Sequence, residues 1–192
     1  MCLEKMKSFY LIVILLVCFA FSCSHTITRL RPNEYVITDR GLPNILEVGM
    51  DHSALKQKGL KHYVKPGHEV APYSQKFYVV PSLSAEFELK NNKIHRIWFF
   101  AEKHEKSPVQ FPLNGGLKML SSISADDIIS SFGDVNVFLT ENPEKNENKP
   151  YWVKYDPFKV GLNYIVYPDY PYLFFFDRSD MLSSITVSLE ND

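Results

Sequence analysis

Apolar and polar residues alternate through residues 85–90, AEFELK, and again through residues 94–101, IHRIWFFA. A period of two puts successive side chains on opposite faces, and Asn91-Asn92 between the runs is a tight-turn pair. The stretch therefore predicts a β-hairpin, with Phe87 and Leu89 facing a core. Glu86 and Glu88 fall on the other side, expected to be the wet face of a half-buried strand. A helical period governs residues 123–133, ISADDIISSFG. Ser124 is an N-cap and Asp127, three residues on, completes a capping box. Ile128, Ile129 and Phe132 mark the apolar face, and Gly133 stops the helix. Residues 49–59, GMDHSALKQKG, are a weaker copy with Asp51 as cap and Leu55 as apolar contact.

Short strands are predicted at residues 35–38, 77–80, 135–139, 151–155, 160–167, 172–176 and 182–189. The second half thus reads as a helix followed by a three- or four-stranded antiparallel meander. Residues 102–116 carry charges, two prolines and a Gly-Gly pair, and read as a connector with a boundary near residue 108. Helix, loop and hairpin then occur twice. Placing Gly59 on Gly133 pairs Ala54 with Ile128 and Leu55 with Ile129, and the hairpin at 85–100 pairs with 172–187. The expectation is an α+β fold of two tandem units, 35–107 and 108–192, each a short helix region packed on an antiparallel sheet. A half of this size buries little surface alone, so the two should share an interface.

The N-terminus has a different character. Lys5 and Lys7 precede a continuous apolar run of 13 residues, FYLIVILLVCFAF. That length suits a secretory h-region and falls short of the roughly 20 residues of a spanning helix. Ala20-Phe21-Ser22-Cys23 resembles the lipobox of bacterial lipoproteins, in which the cysteine becomes the lipidated N-terminus. Phe21 is bulkier than the commonest residue at its position and Ala20 replaces the usual Leu. The expectation is a lipoprotein signal peptide at 1–22, a lipid on Cys23 and a tether over 23–34. An ordinary secreted protein and a retained anchor are the alternatives. Cys2, Cys18 and Cys23 are the three cysteines, so the body has none to pair.

Composition narrows function by exclusion. A net charge of -1, or -2 once residues 1–22 are removed, gives no support to nucleic-acid binding. Aromatic residues make up 14%, which favours a β-rich core. His62 and His68 flank a Pro-Gly turn, with Glu69 adjacent and His52 upstream, but the body has no H-x-x-x-H spacing and no thiolate, so no metal is expected. No G-x-S-x-G elbow or P-loop occurs, and Asp126-Asp127 is better used in capping than as an acid pair. No cofactor and no catalysis are expected. Tyr151, Trp152, Tyr155, Tyr167, Tyr170 and Tyr172 crowd the second half and form the candidate binding surface, since Tyr and Trp suit wet interfaces.

Cys23, the capped helix from Ser124 to Gly133, and the hairpin positions Phe176, Asp177 and Leu182 together resemble the small lipoprotein family typified by the outer-membrane assembly subunit BamE or SmpA. They also resemble its tandem relatives, which include the β-lactamase inhibitor protein. Gly49 stands where that family has a glycine before the cap, while Ile123 occupies the place in the second half. The resemblance implies a non-enzymatic, protein-contacting periplasmic module. The expectation is a lipid-anchored protein of the bacterial envelope, facing the periplasm or cell surface, that binds a protein partner or supports envelope structure. The alternative is a secreted module that binds a small ligand or glycan on its aromatic-rich sheet, or a hydrolase whose site the sequence does not display.

Overall fold

The computed structural model describes residues 35–65, 76–103, 107–138, 149–154 and 163–188, all within one unit, Pro32–Asp192. In chain order these form β1 (Gly41–Leu42), β2 (Leu46–Glu47), α1 (His52–Gln57), β3 (Tyr63–Val64), β4 (Phe77–Val80), β5 (Ala85–Lys90), β6 (Lys93–Phe100), β7 (Gln110–Leu113) and β8 (Gly116–Met119). There follow α2 (Ala125–Phe132), β9 (Asn136–Phe138), β10 (Tyr151–Val153), β11 (Asn163–Val166), β12 (Tyr172–Phe176) and β13 (Leu182–Ser188). The fold is mixed α+β, with two small helices and several sheets. Cys23 and the leader lie outside the described residues, as do His68, Glu69, His104 and Tyr155. Among the described residues no helix is long and apolar enough to cross a membrane.

Nine strands form one sheet in the order β3-β4-β5-β6-β13-β12-β11-β10-β9, and the pairs β1-β2 and β7-β8 stand apart from it. The sheet runs unbroken across the expected boundary because β6 and β13 pair antiparallel, Phe99 opposite Ile185 and Ile97 opposite Val187. On one face a row of Trp152, Ile165, Phe174, Ile185 and Phe99 crosses five strands, and every member is buried. Burying each such side chain contributes on the order of 1.5–3 kcal/mol, so this row is the core. The helices lie on that face: Phe132 of α2 meets Phe174 at 5.6 Å, and His52 of α1 lies 6.2 Å from Phe87, with Leu55 fully buried.

Three sequence expectations change. Glu86 and Glu88 do lie opposite Phe87, but they are only 4% and 3% exposed. Mid-sheet strands leave little room for water there. Glu86 is instead held by Lys65 at 3.0 Å and Lys103 at 2.9 Å, and Glu88 faces Arg96 at 3.7 Å. A carboxylate this deep requires such partners. The connector contains a hairpin, β7-β8, turning at Asn114-Gly115. Pro112 disguises it in the sequence, yet proline is tolerated in a strand outside the main sheet. Finally, β9 pairs with β10 parallel, so the meander β10-β11-β12-β13 carries one parallel strand at its edge.

Both helices are tied to a hairpin turn by the same backbone bonds. In α1 the His52 N–H donates to Asn92 O (3.0 Å), and the Ile94 N–H donates to Met50 O (2.9 Å). In α2 the Ala125 N–H donates to Asp180 O (2.9 Å), and the Leu182 N–H donates to Ile123 O (2.8 Å). Asn92 and Asp180 both have positive φ, 62° and 57°, which short polar side chains tolerate. Asp51 caps α1 by accepting from the Ser53 N–H at 2.8 Å. Ser124 and Asp127 cap α2 reciprocally, and the Gly133 N–H donates to Ile129 O at 2.8 Å with φ at 103°.

Candidate functional site

The C-terminal end of α2 does not close flush against its surroundings. A cleft of about 460 Å³ opens there, lined by Asp39, residues 111–114 of β7 and its turn, Ser131 and Phe132 of α2, and Tyr170, Pro171 and Tyr172 entering β12. That volume lies within the range of small-molecule sites. Phe111 is fully buried and forms the floor, 5.2 Å from Tyr172 and 6.0 Å from Phe132 between ring centres. Above it Phe132 stands edge-on to Tyr170 at 4.9 Å and 86°, and to Tyr172 at 6.4 Å and 73°. Tyr170 and Tyr172 are nearly parallel, 13° apart in plane with centres separated by 6.5 Å. Tyr170 is 42% exposed, so its ring reaches solvent.

The walls are fixed by hydrogen bonds. The Tyr167 hydroxyl donates to Gly133 O at 2.7 Å and ties the β11-β12 turn to the helix end. Asn114 does the same from the β7-β8 turn: its N–H donates to Ser131 Oγ at 3.2 Å and its amide to Ser130 O at 3.1 Å. The bonds to Gly133 O and Ser130 O satisfy carbonyls that a helix end leaves without partners. Burial, helped by the charge of Asp134, pushes the Tyr167 phenol up to about 12. Burial and the charge of Asp39 do the same for Tyr172, also to about 12. Both phenols are therefore neutral at physiological pH. Among the described residues the lining has one carboxylate, Asp39, and no lysine, arginine or histidine.

Of the aromatic residues singled out from sequence, Tyr170 and Tyr172 line this cleft and Tyr167 supports it from within the core. Trp152 does something else. It is buried, and its indole N–H donates to Asn163 Oδ1 at 2.7 Å, while Asn163 in turn donates to Asp177 O and Asp180 Oδ1. Tyr151 sits on the opposite sheet face, 6.3 Å from Tyr164 and 6.5 Å from Phe138. Sequence reasoning missed Asp39, Phe111 and Asn114, which come from distant segments. Phe132 was recognised as a packing residue only.

No family model, curated protein or solved structure matches this chain. The site must therefore be read from its own residues. A second polar cluster lies at α1, where His52 Nε2 and His62 Nε2 are 3.0 Å apart. The His62 Nδ1–H donates to Leu60 O at 2.8 Å, because a carbonyl can only accept. Its Nε2 is then left to accept from His52 Nε2–H. Burial first, then the nearby His62 and Lys56, hold the His52 pKa below its ordinary value. Tyr78 packs on His52 at 4.7 Å and stacks on Phe87 at 5.1 Å, so the pair is built into the wall of the fold. No group of three His, Cys, Asp or Glu residues suited to a metal occurs among the described residues.

Proposed function

We propose that the chain is a non-catalytic binding module in which the cleft of Phe132, Tyr170 and Tyr172 takes a small molecule or glycan. The observation that carries this reading is the cleft itself: two near-parallel tyrosines with Phe132 standing steeply across them, a carboxylate in the lining and walls fixed by hydrogen bonds. Among the described lining residues the one serine, Ser131, accepts from the Asn114 N–H and has no histidine beside it to activate it, which favours binding over hydrolysis. A thermal-shift screen of sugars, amines and amino acids tests the reading. Hits should lose their effect in Tyr170→Ala; hits that persist unchanged in that variant would place the ligand elsewhere.

The module is further proposed to be exported and held at a bacterial membrane by lipid on Cys23. The support is the basic n-region, the 13-residue apolar run and the small residue before the cysteine. Cys23→Ser should abolish incorporation of labelled palmitate, and persistent labelling would sink the anchor. Its body is proposed to be two tandem units. The matched bonds His52 to Asn92 and Ala125 to Asp180 favour this, as do the buried equivalents Leu55 and Ile128. This pairing is offset by one from the alignment of Gly59 with Gly133.

A further inference from the structure

Several features were candidates for a second role. The His52–His62 pair has its ring centres 5.1 Å apart, close to an end-on approach, so the two nitrogens face each other rather than a shared third point. It makes an internal hydrogen bond and is a poor chelate. The other side of the sheet, with Trp98, Thr186, Leu173, Val166 and Tyr151 in one row, is mostly apolar from β6 to β10 but shows nothing of what would cover it. The aromatic cleft offers more, because its polar groups discriminate between ligand classes.

We infer that the cleft takes a small soluble molecule carrying a quaternary or alkylated ammonium group, seated among Phe132, Tyr170 and Tyr172 and facing the Asp39 carboxylate. The inference rests on the cleft being the ligand site. Aromatic faces carry negative quadrupole potential and attract a cation within about 6 Å of the ring centre. Two near-parallel tyrosines, 13° apart in plane, present an aromatic wall, and Phe132 stands across it at 86° and 73°. Among the described residues the lining is acidic through Asp39 and carries no cationic side chain, so charge complementarity points to a positive guest. A polyol, in contrast, needs many hydrogen-bond partners. Two of the cleft's polar residues are already engaged, since the Asn114 N–H and amide and Ser131 Oγ hold the helix end. A cation needs only the rings and the carboxylate. The volume of about 460 Å³ leaves room for a substituent on the headgroup.

The test is calorimetric titration of the full-length chain in a polyoxyethylene detergent. The probes are choline, its neutral isostere 3,3-dimethyl-1-butanol, methyl α-glucoside and phosphatidylcholine vesicles. Choline should bind, and the neutral isostere should bind at least about tenfold more weakly. Asp39→Asn should weaken choline about threefold or more with the urea midpoint unchanged, and Tyr170→Leu should weaken it by as much while the chain stays folded. Equal binding of choline and the neutral alcohol would overturn the inference and leave the cleft as an uncharged site. Binding of the glucoside with choline silent would do the same. Response to vesicles but not to free choline would overturn it in favour of a lipid surface. Silence from all four probes would remove both this inference and the cleft reading.

Discussion

Two helix–hairpin junctions sit in this molecule, with matching backbone bonds and different side-chain surroundings. At α1 the space beside the helix is filled by His52 and His62, sealed against Tyr78 and Phe87. At α2 the helix ends in Phe132 and leaves a cleft walled by Tyr170 and Tyr172. The backbone arrangement alone therefore does not make a site. A closed junction results when polar rings pair with each other, and an open one when bulky rings meet edge to edge and cannot fill the angle between them.

The comparison breaks most visibly in the core. Leu55→Ala and Ile128→Ala each remove a fully buried side chain at equivalent positions, and each should destabilise by about 2–5 kcal/mol in urea unfolding. Similar losses would support equal structural weight for the two helices; a loss at one helix alone would show the other to be an appendage.

Acid sharpens the contrast between the sheet halves, since the row containing Glu86 continues as Thr186 and Leu173 beyond β6. Burial pushes the Glu86 carboxyl up, but hydrogen bonds and charge from Lys103 and Lys65 outweigh it and hold the pKa below the ordinary value. Its contribution to stability is thus fully present above the unfolded value of about 4.3 and is lost as pH falls through the folded value. Urea midpoints measured from pH 7 to pH 3 should fall less steeply below about pH 4.3 for Glu86→Gln than for the unaltered chain, though the variant starts lower.

At the caps, Ser124→Ala should cost about 1 kcal/mol by the same unfolding assay, leaving the Asp127 N–H without its acceptor. The smallest expected change is Tyr167→Phe, about 0.5–1.5 kcal/mol, from losing the bond to Gly133. It should nonetheless weaken any cleft ligand, because that bond holds the turn bearing Tyr170 against the helix end. An unchanged affinity would show the wall to be fixed by packing alone.

The elements with strong local signals were legible in the chain. The hairpin of AEFELK and IHRIWFF, the reciprocal Ser124–Asp127 cap and the Gly133 stop all follow from period, turn residues and capping chemistry. Long-range organisation was not. Nothing local says that β6 pairs with β13, or that β9 joins β10 in parallel. Glu86 and Glu88 read as solvated because alternation gives the face of a strand but not its place within a sheet. The cleft was half visible: Tyr170 and Tyr172 stood out by type, whereas Asp39, Phe111 and Asn114 arrive from the segment before α1 and from a hairpin that Pro112 masked. Trp152 shows the reverse error, an aromatic residue of interface type that is consumed by the core.

The central claim is that the cleft at the end of α2 is where a ligand binds. Chemical-shift mapping of the full-length chain with a ligand recovered from the thermal-shift screen tests it most directly. The account predicts shifts concentrated at Asp39, Asn114, Phe132, Tyr170 and Tyr172. Shifts centred instead on Trp98, Tyr151 and Tyr164, across the opposite face of the sheet, would contradict it.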